Sequence, residues 1–89
     1  MAYYVYIIQS LVDDAYYIGS TQDISERLQR HNQGRSQYTK SKRPWALVYS
    51  KEHSSKSAVI KRENQIKKRK SKQFIQSLIS TPEHSHEDN

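Results

Sequence analysis

The chain has 89 residues, about a third of them apolar, with fifteen Lys and Arg against nine Asp and Glu for a net charge of +6. That is one small domain's worth of chain, with a compact core. It holds no cysteine, which excludes a disulfide framework and any thiolate zinc site, and no apolar run approaches the ~20 residues of a membrane span.

The first segment, Tyr3 to Ser10, reads YYVYIIQS and is almost entirely aromatic or β-branched, as a well-buried strand is. Leu11 to Asp14 carries turn chemistry, and Ala15 to Gly19 resumes the β pattern, so the two segments form an antiparallel hairpin with Gly19 closing the second strand. Ser20, Thr21 and Asp23 are candidate N-caps of a first helix, with Glu26 three residues after Asp23. Ile24 and Leu28 make its apolar stripe toward the sheet, and Gly34 suits its C-terminus. Arg27 and His31, at i and i+4, share a different face. Arg35 to Arg43 is polar and basic without apolar period and reads as a loop. Pro44 precedes a third strand, Trp45 to Ser50. A second helix runs from about Lys56 to Arg69, and a third begins near Ser71 and buries Phe74, Ile75, Leu78 and Ile79. The order ββαβαα places the chain in the α+β class, with residues 1–80 as the domain and residues 81–89 as a disordered tail that is acidic and carries His84 and His86.

Charge and one misplaced acid carry the functional information. Glu83, Glu87 and Asp88 all lie in the tail, so residues 1–80 have a net charge of +9. A basic surface of that density points to a polyanion, with nucleic acid favoured over a membrane surface or an acidic protein. On the second helix, at 100° per residue from Val59, Ile66 falls near −20°, Ile60 near 100° and Glu63 near 40°, inside the apolar arc. A carboxylate there must be paired or bound to a cation. The first reading is a buried ion pair with an arginine. The second is a divalent-cation ligand or a general base, and one carboxylate suits Mg²⁺, which keeps most of its waters and takes substrate phosphate as well.

The hairpin Tyr4-Val5-Tyr6 … Tyr17-Ile18-Gly19 resembles the paired motif of the GIY-YIG nuclease superfamily. The second half matches as written. The first has Tyr4 for glycine and Val5 for isoleucine, with the tyrosine kept at Tyr6, and Arg27, His31 and Glu63 follow in the family's order. The resemblance covers about residues 3 to 79 and is closest to small stand-alone bacterial members. It implies a three-stranded antiparallel sheet flanked by helices, and an endonuclease that cuts DNA phosphodiesters with one divalent cation, Mg²⁺ or Mn²⁺. By that resemblance Glu63 holds the cation and Arg27 binds the scissile phosphate. Tyr6 is the general base or acts on the attacking water through the metal shell; Tyr17 orients water or phosphate; His31 positions groups or takes part in proton transfer. Gly19 is expected to let the chain turn sharply. Arg35, Lys40, Lys42 and Arg43 on the loop, and Lys61, Arg62, Lys67, Lys68 and Lys70 toward the end of the second helix, are the expected phosphate contacts, with Tyr38 stacking on a base or contacting a phosphate. None has base-reading geometry, so selectivity is expected to be low or to follow DNA structure, as for branched or damaged DNA. A protein partner that supplies targeting, a cytoplasmic location and no membrane association complete the expectation. The alternative is a non-catalytic nucleic-acid-binding module that keeps the fold.

Overall fold

The computed structural model describes residues 2–80; the tail expected over 81–89, with its two histidines, lies outside the described residues. Three strands and three helices follow in the order β1 (Tyr3–Ser10), β2 (Tyr16–Thr21), α1 (Ile24–Asn32), β3 (Trp45–His53), α2 (Lys56–Arg69) and α3 (Lys72–Ser80). The sheet is antiparallel in the order β2-β1-β3. The α+β class, the three-stranded sheet and the ββαβαα order are as expected from the sequence. Among the described residues no helix is long and apolar enough to cross a membrane.

The composition of β1 follows from its central place. Val5 and Ile7 face α2 and α3 in a core with Tyr49, Val59, Ile66 and Ile75. Tyr6 and Ile8 point to the other face and pack with Trp45, Tyr17 and Leu28 of α1. A strand covered on both faces loses the usual alternation of polar and apolar residues, and residues 5 to 8 are at most 2% exposed.

The helix ends are built from local side chains. Asp23 caps α1 by accepting from the Glu26 amide at 3.0 Å, and Ser55 caps α2 by accepting from Ala58 at 3.1 Å. α1 ends in a Schellman turn: the Gly34 amide donates to the His31 carbonyl and the Arg35 amide to that of Arg30, with Gly34 at φ 77°.

β3 runs past the expected Ser50 to His53, and the loop before it carries a 3-10 turn over Lys40–Lys42. β2 does not stop at Gly19 but runs two residues further, and Gly19 pairs with Tyr6 inside it. Its φ is not in the left-handed region, so it makes no sharp turn. A β-carbon at Gly19 would lie 2.7 Å from the Tyr6 hydroxyl and 2.8 Å from its Cζ. The residue is glycine because a buried phenol lies across it. β3 is irregular, its register to β1 shifting between Ile7 and Ile8. Trp45 and Tyr49 share parity and would share a face in a regular strand. The irregularity places Tyr49 in the α2 core and Trp45 in the α1 core.

Candidate active site

On the α1 face, Tyr6 is fixed from both sides. Its ring is 2% exposed, and its hydroxyl shares a hydrogen bond of 3.1 Å with His31 Nε2. His31 Nδ1 shares a second, of 2.8 Å, with the hydroxyl of Thr39, which is fully buried. A neutral imidazole donates at one nitrogen and accepts at the other, so in either tautomer it links the two hydroxyls. The chain continues through the Thr39 carbonyl, which accepts from Trp45 Nε1 at 2.9 Å. Asn32 then clamps the Trp45 backbone, accepting from its amide at 2.6 Å and donating to its carbonyl at 3.0 Å. The loop from 35 to 43 is thus tied to α1 and β3 by side chains that its polar sequence did not single out.

Tyr17 stands over this pair. Its ring is T-shaped to His31 at 5.0 Å, tilted to Tyr6 at 6.4 Å, and within 5.7 Å of the ring of Tyr38, which is 76% exposed. His31, expected on the face of Arg27 and away from the sheet, is 3% exposed and turned inward. It continues the stripe of Ile24 and Leu28 at helical spacing, and that position was the signal for its burial.

The electrostatics follow from burial and from one arginine. Burial, and Tyr17 beside it, push the Tyr6 phenol up to about 12; the adjacent Arg27 guanidinium pulls the other way, and Glu63 adds to the rise. Burial, then Arg27 and Arg30, hold the His31 imidazole below its ordinary value. Arg27 Nε is buried without a hydrogen-bond partner. With Tyr17, Arg30, His31, Arg35 and Ser36, Arg27 lines an open cleft of about 370 Å³. It also lines a second cleft beside Ser20 and Thr21, next to the strand that Glu63 meets.

Glu63 approaches from the α2 face. Its Oε1 accepts from the Ser20 hydroxyl and its Oε2 from Lys67 Nζ, both at 2.7 Å, and the side chain is 16% exposed. The inward direction read from the helix is therefore present, and the ion-pair partner is a lysine one turn along rather than an arginine. Gly19 and Ser20 alternate on β2, one against Tyr6 and the other against Glu63, so the two halves of the site meet at the edge strand. Among the described residues no cluster of three or more His, Cys, Asp or Glu is placed to hold a metal ion. One half-buried carboxylate with a hydroxyl beside it fits a cation that keeps most of its waters, not a dehydrated all-protein cage.

The expected phosphate contacts divide. Arg35 lines the arginine cleft, and Lys67 and Tyr38 line a neighbouring one. Lys40, Lys61, Lys68 and Lys70 are exposed. Lys42 is held by Asp13 at the hairpin turn, and Arg43 donates to the Lys40 carbonyl with its guanidinium against Gly34. Arg62 is directed to Tyr49 and His53 on the opposite edge strand. Arg30, Thr39 and Asn32 were not foreseen. Of these, only Arg30 had a signal, three residues from Arg27 on the same helix.

Comparison with known proteins finds matches over most of the chain. The family model described as the GIY-YIG catalytic domain matches residues 2–76. A UPF0213 protein of Syntrophus aciditrophicus is 44% identical over 82 residues, 90% of this chain and 93% of its own. One of Staphylococcus haemolyticus is 42% identical over 66 residues, 73% of this chain and 79% of its own. The solution NMR structure of a UPF0213 protein from Bacillus halodurans matches with a TM-score of 0.57 and 28% identity, covering 100% of this chain and 98% of that one.

Proposed function

The chain belongs to the GIY-YIG catalytic domain family, and from that premise we propose that it is a divalent-metal-dependent endonuclease that hydrolyses DNA phosphodiesters with low or structure-based selectivity. The observation that carries the reading is the Tyr6–His31 hydrogen bond beside an arginine whose buried Nε has no partner. An unpartnered buried donor is costly, and a phosphate that drew the guanidinium toward the cleft would give it an acceptor.

In this reading Arg27 binds the scissile phosphate and opposes the charge that builds on its oxygens. Water forms the new bond to phosphorus as the bond to the leaving sugar oxygen breaks, and that oxygen takes up a proton. Tyr6, with a phenol near 12, holds its proton at neutral pH. As general base it passes that proton to His31 Nε2 while it takes one from water. The buried imidazole, below its ordinary value, is free to accept it. Tyr17 orients the water or the phosphate from above. Glu63 would hold Mg²⁺ or Mn²⁺, which supplies further charge stabilisation at the phosphate. Arg35, Lys40, Lys61, Lys68 and Lys70 supply sequence-independent contacts along the strand. The cytoplasm is the proposed location, and a separate protein is the proposed source of targeting.

The Glu63–Lys67 ion pair favours a second reading, a nucleic-acid-binding module with no catalysis. One experiment separates them. The protein is incubated with supercoiled, branched and single-stranded DNA, with Mg²⁺ or Mn²⁺ and with EDTA, beside folded Glu63→Ala and Tyr6→Phe. Metal-dependent cutting that both variants lose is the expected outcome. Salt-sensitive binding with no cut product under either ion would establish the second reading instead.

A further inference from the structure

Glu63 is not presented bare. Ser20 holds one oxygen and Lys67 the other, each at 2.7 Å. Ser20 is fixed by the strand. Lys67 is on a flexible stem and 48% exposed, and the same side chain lines a cleft of about 390 Å³ walled by Tyr16, Tyr17, Ile18 and Tyr38. One ammonium is therefore shared between the half-buried carboxylate and an aromatic cleft.

We propose that Lys67 is a tethered counter-cation that occupies Glu63 until nucleic acid arrives. A carboxylate this enclosed needs a cation beside it, and Lys67 supplies one in the free protein. Only the lysine end of this i,i+4 pair is exposed, and its ammonium is a rotatable point charge on a flexible stem, suited to changing partners. A phosphate lying along the Tyr17–Tyr38 cleft draws Lys67 away and leaves Glu63 Oε2 to a divalent cation. Phosphate and cation then each favour the binding of the other, by the same factor in both directions. The inference rests on the reading of Glu63 as the cation ligand, and adds that Lys67 is a positioning residue that couples that ligand to substrate.

The test reads Mn²⁺ binding by electron paramagnetic resonance, not cutting. Lys67→Met keeps the apolar stem and loses the charge; Lys67→Arg keeps both charge and ion pair. Without DNA, Lys67→Met is expected to bind Mn²⁺ about five- to tenfold more tightly than wild type, and Lys67→Arg no more tightly. A cleavage-resistant phosphorothioate duplex should tighten Mn²⁺ binding in wild type by a larger factor than in Lys67→Met, where only direct ligation by phosphate contributes. Adding Glu63→Gln to Lys67→Met should abolish the binding, with melting temperatures confirming that each variant folds. Mn²⁺ binding that depends on Glu63 but is equal in wild type and Lys67→Met would overturn the role of Lys67 alone. Binding that is absent throughout, or indifferent to Glu63→Gln, would overturn the cation site together with it.

Discussion

Gly19→Ala tests the account of why glycine follows Tyr17-Ile18. In most strands this substitution stabilises, because glycine costs about 0.5–1 kcal/mol relative to alanine in a strand interior. Here the added carbon would lie 2.7, 2.8 and 3.1 Å from three atoms of the Tyr6 ring system. The ring is 2% exposed and its hydroxyl is tied to His31, so it cannot yield without losing that bond or disturbing its neighbours. Overpacking of this kind costs about 1–3 kcal/mol, and a buried polar group left unpaired costs about as much again. After the alanine gain is subtracted, the net loss is about 3 kcal/mol, a fall in Tm of roughly 12–24 °C for a domain of this size. Thermal and urea denaturation measure it. The same substitution in a Tyr6→Leu background should be close to neutral, since the clash is removed and the two positions are coupled. A Tm that is unchanged or raised by Gly19→Ala would refute the close-approach argument.

Two further outcomes follow from the network behind the site. Asn32→Ala should cost about 1–2 kcal/mol, because it leaves the Trp45 amide and carbonyl without the clamp; Trp45 is the one tryptophan, so its fluorescence reports the transition, and an unchanged urea midpoint would count against the clamp. Stability should also fall as the pH drops below about 6.5, where an unfolded histidine takes up a proton while burial keeps folded His31 and His53 deprotonated to lower pH. The unfolded state then binds more protons, so stability rises with pH in that window and levels off below the folded values. His31→Gln should flatten part of the slope and leave the part owed to His53; an identical slope in the variant would show that His31 does not titrate as its surroundings require.

The legible parts of this protein are those dictated by local pattern. The apolar run of β1 announced a well-buried strand, and the limits of α2, Lys56–Arg69, were as read from the sequence. Glu63 was legible as an inward acid because helical angle is a local property, and it is 16% exposed in the fold. The identity of its partner was not, since Lys67 and the arginines are equal candidates until side chains are placed. Thr39 sits in a polar loop with no period to mark its burial. The opposite facing of Trp45 and Tyr49 depends on an irregularity in pairing with β1, which β3 alone does not encode.

The remaining misreading, of Gly19, bears on how the site is assembled. As a strand terminator, Gly19 would connect Tyr17 to α1 and explain only one half of the constellation. As an internal strand residue it belongs to an alternating pair. Gly19 gives up its side chain so that Tyr6 can occupy the α1 face, and Ser20 extends a hydroxyl to Glu63 on the other. Strand period is two, so a slip of one residue in β2 would exchange the pair. It would drive the Ser20 side chain into the buried phenol and set a glycine, with nothing to donate, before the carboxylate. The hydrophobic registry that pairs Ile18 with Ile7 and Tyr17 with Ile8 forbids that slip. The packing of the core and the alignment of the two half-sites are therefore one constraint, written into adjacent residues of an edge strand.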